Sequence, residues 1–156
     1  YQIISQRPDY SFVFTGPEDD GFRQHRIHSL KNAYFTGQKK VDELPAYITA
    51  YDVCINPQMV NDITDGNYPL KIDEYLAMGK PTVATSTHTM RNIFADHTHL
   101  ATNPEEWLSA IDRAVTEADD KKLAKQRIAF AETHSRGHSV KKIYDIIDNF
   151  LKEKAT

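Results

Sequence analysis

Residues 67–85 read NYPLKIDEYLAMGKPTVAT, and the pattern in this stretch switches once, from helix to strand. Pro69 suits a helix start, where a missing N–H costs little. Residues 70–78 continue as helix, and Gly79, followed by Pro81, stops it. PTVAT (81–85) is then a short β-branched run of the kind found in buried strands.

The same alternation continues outward. SFVFT (11–15), NAYFT (32–36) and DVCIN (52–56) lie upstream, and HLAT (99–102) lies downstream. Short strand-like runs separated by helix-period stretches predict an α/β fold: a Rossmann-like parallel sheet with helices on both faces. Asp42 is expected to cap a helix through Leu44, Tyr47 and Ile48, with Pro45 in its first turn. Asn103-Pro104-Glu105-Glu106 supplies a cap, a first-turn proline and an acid at the third position. The apolar stripe of Trp107, Leu108, Ile111, Ala114, Val115 and Ala118 follows it. A helix through Leu123, Ile128 and Phe130 is expected to lie on the sheet, with a solvated charged start at 119–122. A last helix, capped by Ser139, is expected to bury Ile143, Tyr144, Ile146, Ile147, Phe150 and Leu151.

Composition sets the outer bounds. The chain has 156 residues, 40% hydrophobic and 26% charged, with a net charge of −3, which fits a single soluble domain (1–156) and gives no reason to expect a nucleic-acid partner. Cys54 is the sole cysteine; it excludes an intramolecular disulfide, reads as a small core residue and fits a cytoplasmic setting. No apolar run reaches the roughly 18–20 residues that cross a bilayer, and no signal-peptide pattern opens the chain. Membrane contact is therefore expected to be peripheral at most. The first residue is not Met, and the chain reads as starting inside a longer protein.

The chemistry concentrates before and within the helix of residues 70–78. The loop at 57–68, PQMVNDITDGNY, exceeds the usual strand-to-helix length of about two to six residues. The helix it feeds presents free backbone N–H groups and a positive dipole end, which together receive anions such as a diphosphate. Lys71, in the first turn, opposes that dipole unless an anion lies between them. Glu74, nearly one turn on, can accept two neighbouring hydroxyls of a ribose. The plainer alternatives are a solvated lysine and a surface Lys71–Glu74 pair. His97-Thr98-His99 would place two imidazoles on one strand face, yet no Cys or acidic motif completes a metal site, and these residues and the HRIH stretch (25–28) read as surface histidines. No metal and no cofactor are expected.

Residues 67–85 resemble the donor-site signature of retaining GT-B glycosyltransferases of the glycosyltransferase 4 or group 1 type, in the variant Pro-x-Lys-x-x-Glu-Tyr-x-Ala-x-Gly-x-Pro. The resemblance extends to YSFVFTGP, to NAYFTGQKKVDELPAYITAYDVCINP and to NPEEWLSAIDRAV. It implies a C-terminal donor-binding domain whose substrate is a nucleoside-diphosphate sugar and whose reaction is hexosyltransferase-like. It also implies an acceptor glycan or lipid-linked glycan bound by an N-terminal domain, a role in polysaccharide or glycoconjugate synthesis, and no activity for this chain alone.

By position, Glu74 would bind the ribose, and Lys71, with Pro69 and Leu70 at the helix N-terminus, the diphosphate; Lys71 is the expected catalytic group. Gly37 and Gln38 would lie near the base, and Thr15 and Gly16 beside the phosphates. Relatives often carry a sugar-contacting glutamate eight positions before the ribose glutamate, where this chain has Gly66. Asn61, Asp62, Thr64 or Asp65 are its candidate replacements, with Asn61 and Thr64 favoured. The family's first strand and its basic phosphate loop are absent from this sequence. That strand is central in the order 3-2-1-4-5-6, so the sheet is expected to be interrupted or altered, and the domain incomplete at its N-terminus. A GT-B epimerase or phosphorylase, and a non-catalytic nucleotide-binding module, are the alternatives.

Overall fold

The computed structural model describes residues 1–154. Five parallel strands form: β1 (Phe12–Thr15), β2 (Ala33–Gly37), β3 (Cys54–Asn56), β4 (Thr82–Thr85) and β5 (His99–Ala101). They make two pieces, β1 with β2, and β3-β4-β5 with β4 in the middle. Among the described residues, β1 and β3 therefore each pair with one neighbour.

Seven α-helices accompany them: α1 (Gln2–Ser5), α2 (Asp20–Arg23), α3 (Leu44–Ala50), α4 (Leu70–Ala77), α5 (Pro104–Thr116), α6 (Lys121–Thr133) and α7 (Arg136–Lys154). A 3-10 turn (Arg26–Ser29) and a π-helical turn (Met90–Phe94) complete the set. All of β4 is buried, as a parallel strand covered on both faces must be. Successive strand residues face opposite ways. Val83 accordingly joins a core with Phe12, Ala101, Trp107, Ile111 and Ala114, whereas Ala84 joins another with Ile72, Leu76, Met90, Phe94 and Ala131.

Local signals explain the helix ends. Asn103 Oδ1 accepts from Glu106 N at 2.9 Å, and Glu106 Oε2 accepts from Thr102 N at 2.7 Å, so α5 has a reciprocal cap shifted by one residue. α4 stops at Gly79, whose φ of +71° favours glycine. A Cβ there would also lie 3.1 Å from Ala124 Cβ, so this glycine lets α6 approach closely.

Four expectations need correction. Asp42 does not cap α3; Glu43 occupies that position, without a side-chain cap. α6 lies chiefly against α4 and not on the sheet: Arg127 donates to Gly79 O, and Ala131 joins the core of Ile72 and Leu76 that reaches down to Ala84 of β4. α7 begins at Arg136, ahead of Ser139, and Ser135 Oγ accepts from His138 N at 3.2 Å. The face of α7 expected to be buried is exposed, since nothing among the described residues covers Ile143, Tyr144, Ile146, Ile147, Phe150 or Leu151.

Candidate nucleotide-sugar site

α4 carries its buried residues Ile72 and Leu76 on one side and Leu70, Lys71, Glu74, Ala77 and Met78 on the exposed side. The three-residue spacing puts Lys71 and Glu74 together on that outer face. Neither side chain has a hydrogen-bond or ion-pair partner among the described residues, so the Lys71–Glu74 surface pair does not form. Pro69 occupies the N-cap position and provides no side-chain cap. Its carbonyl accepts from Ile72 N at 2.9 Å. The first turn thus offers backbone donors and one free cation side by side.

The preceding loop is folded on itself. Asn61 Oδ1 accepts from Ile63 N at 3.0 Å and Thr64 N at 2.9 Å, an Asx-type closure. Thr64 Oγ1 accepts from Asn61 N and donates to Met59 O. Asp65 Oδ1 accepts from His88 N at 2.7 Å, and Thr85 Oγ1 accepts from Gln58 N at 2.8 Å. These bonds tie the loop to the end of β4 and to the segment following it. Gly66 is exposed, with open space where a Cβ would stand.

A second group gathers at the ends of β1 and β2. Gly16 N donates to Gly37 O at 3.1 Å, and Gly37 has a φ of +70°. Thr15 Oγ1 accepts from Thr36 Oγ1 at 3.1 Å and lies 2.6 Å from Tyr51 Oη. Thr15, Gly16 and Gly37 are therefore together, with Gln38 exposed beside them. The Thr15 hydroxyl and the Gly16 amide already have partners within the chain. No hydrogen bond joins this group to Lys71 or Glu74 among the described residues.

Some anchors went unseen in the sequence. Lys80 Nζ donates to Thr49 O at 2.7 Å and Tyr51 O at 2.6 Å, capping the C-terminal end of α3, where a cation complements the dipole. Its place just after the Gly79 stop gives no local hint of this reach to α3. Burial pushes the Cys54 thiol and the Tyr75 phenol up to about 12 each, so both stay protonated as core groups. His99 pairs with Glu117 at 2.9 Å, His97 stacks on Phe130, and His28 stacks on Phe35. His97 precedes β5, so the two imidazoles do not share a strand face. No cluster of three or more possible metal ligands occurs among the described residues, and no described helix is long and apolar enough to cross a membrane.

The chain is thus a parallel α/β domain in which Lys71 and Glu74 stand exposed and unpartnered beside an uncapped helix end. A family model described as glycosyl transferases group 1 matches residues 1–117, and the chain belongs to that family. It is also 28% identical over 135 residues to TuaH of Bacillus subtilis (strain 168), a candidate teichuronic acid biosynthesis glycosyltransferase; the match covers 82% of this chain and 34% of TuaH. The chain thus spans about a third of that relative's length.

Proposed function

We propose that this chain is the C-terminal, donor-binding domain of a two-domain GT-B glycosyltransferase. The intact enzyme would move a sugar from a nucleoside diphosphate to an acceptor hydroxyl, with retention at the anomeric carbon. The observation that carries this reading is the outer face of α4. There Lys71 and Glu74 stand exposed and unpartnered beside an uncapped helix N-terminus in a chain of the glycosyl transferases group 1 family.

The helix end and Lys71 hold the diphosphate and stabilise the negative charge that grows on it as the bond to the sugar breaks. Glu74 accepts the ribose hydroxyls. Gly37 and Gln38 border the base, and Thr15 and Gly16 form the wall beside the phosphates. In the loop, Asn61 retains its amide nitrogen for a sugar hydroxyl, and Asp65 and Gly66 border the sugar. Thr64, whose hydroxyl already both donates and accepts, shapes the loop instead. This chemistry calls for no metal.

The acceptor, a glycan or lipid-linked glycan of a cell-surface polysaccharide pathway, would be bound by an N-terminal domain. The biosynthetic role ascribed to TuaH supports that class. The break between β1 and β3 supports an additional strand supplied by the preceding polypeptide, which would pair with both open edges. This chain alone would therefore be inactive, and the intact enzyme would work in the cytoplasm or at the inner membrane face.

Calorimetric titration of UDP and GDP into the full-length protein tests the site. Glu74→Ala should weaken binding about tenfold or more, as expected when a charged hydrogen-bond partner is lost, and Lys71→Ala should do the same. Unchanged affinity in both variants would sink the assignment.

A further inference from the structure

The outer face of α4 carries the unpartnered groups, whereas its inner face is fastened by a polar network. Tyr68, the last loop residue before Pro69, donates from Oη to Asp73 Oδ2 at 2.6 Å. The other carboxylate oxygen, Asp73 Oδ1, lies 3.1 Å from His134 Nδ1. His134 sits between α6 and α7 and stands edge-on to Phe94 and Phe130, at centroid distances of 5.8 and 4.6 Å. The Tyr68 ring leans on Phe94 at 5.5 Å. One carboxylate in the first turn of α4 thus joins three separated parts of the chain.

We propose that Tyr68, Asp73 and His134 are positioning residues that set the rotation of α4's first turn and the end of the loop, and so aim Lys71 and Glu74 at a nucleoside diphosphate. The proposal rests on the reading of Lys71 and Glu74 as the nucleotide cradle. Asp73 lies between those two residues in sequence, and a helix turns by about 100° per residue. A small rotation about the helix axis therefore swings both outward groups together.

Close packing of Ile72 and Leu76, both fully buried, sets which side of α4 turns inward, and the polar network adds a directional restraint to it. Two hydrogen bonds to opposite oxygens of one carboxylate are directional. Burial, with help from Asp73, raises the Tyr68 phenol above its ordinary value, which keeps it the donor in this pair. The aromatic rings around His134 partly bury its contact with Asp73, whereas the Tyr68–Asp73 bond is exposed.

The test uses the full-length protein with UDP and GDP as probes, and Tyr68→Phe and His134→Gln as variants. Tyr68→Phe keeps the ring against Phe94 and removes only the hydroxyl. Each single variant should weaken nucleotide binding about two- to tenfold, the range of one hydrogen bond. Donor KM should rise with acceptor KM unchanged. The double variant should lose less than the product of the two single losses, since both act through Asp73. Glu74→Ala serves as the reference for the cradle itself. If Glu74→Ala weakens binding but both positioning variants stay within twofold of wild type, the positioning role is overturned and the cradle stands. If the variants lower melting temperature and raise donor and acceptor KM alike, the network is merely structural and the proposal fails. Should Glu74→Ala and Lys71→Ala also be silent, the cradle and the proposal fall together.

Discussion

Helices α5 and α7 read alike in sequence, each with an apolar stripe at helical spacing, yet the fold treats them in opposite ways. α5 buries Trp107, Ala110, Ile111 and Ala114 against β4, β5 and α1. α7 leaves Ile143 57% and Phe150 53% exposed. The lesson is that periodicity encodes which face of a helix seeks cover, while cover itself depends on another surface being within reach. α5 leaves β5 after a two-residue link and falls onto the sheet. α7 follows α6, which itself lies against α4.

Trp107→Ala should give the largest break in this contrast. Trp107 is 8% exposed and lies in the core with Phe12, Val83 and Ile111. Truncation of a buried aromatic costs about 3–5 kcal/mol, and urea unfolding followed by circular dichroism would measure it. A loss under about 1 kcal/mol would mean that α5 is no better anchored than α7, on the scale that separates core from surface substitutions.

The same contrast explains what was legible beforehand. All five strands were readable as short β-branched and aromatic runs; β4, covered on both faces, is the purest case, whereas β1 and β2 leave Val13 and Tyr34 exposed. The break between β1 and β3 followed from the resemblance and not from local pattern, since strand signals carry no record of neighbours. Lys71 and Glu74 were placed on one outward face by spacing alone. The closure of Asn61 and Thr64 onto their own loop was not legible, because a polar loop residue has as many candidate partners among nearby amides as in a ligand. The Tyr68–Asp73–His134 network was invisible for a simpler reason, which is that it joins side chains 61 positions apart in the chain.

Helix starts sharpen the comparison at a smaller scale. Asn103→Ala removes the side chain that accepts from Glu106 N and should cost about 1 kcal/mol. Ser139→Ala should cost almost nothing, because α7 has already begun and Ser135 bonds the His138 amide. Chemical denaturation of both variants checks the pair, and equal losses would restore Ser139 as the cap.

Acid should loosen the buried helix selectively. The hydrogen bond from Arg7, assisted by Tyr10, holds the Asp112 carboxyl below its ordinary value. A carboxyl lowered in the folded state contributes stability that is fully present above its unfolded value, near about 4. That contribution disappears as pH falls through the lower folded value. Stability measured on acidification below about pH 5 should therefore fall more steeply for wild type than for Asp112→Asn. Matching slopes would remove the Arg7–Asp112 ion pair from the forces holding α5.

The smallest effect is also the most diagnostic. Ile143→Ser combined with Ile147→Ser removes two large apolar side chains from a face that nothing among the described residues covers. In this chain the unfolding free energy should change by no more than about 0.5 kcal/mol, as at ordinary surface positions, despite a sequence change that would cost several kcal/mol in α5. The near-zero result would locate the value of the α7 stripe outside the contacts made by this chain. A loss approaching that of Trp107→Ala would instead mean that α7 folds back onto the domain in solution, and that the two helices differ in the surface they reach but not in whether they are buried.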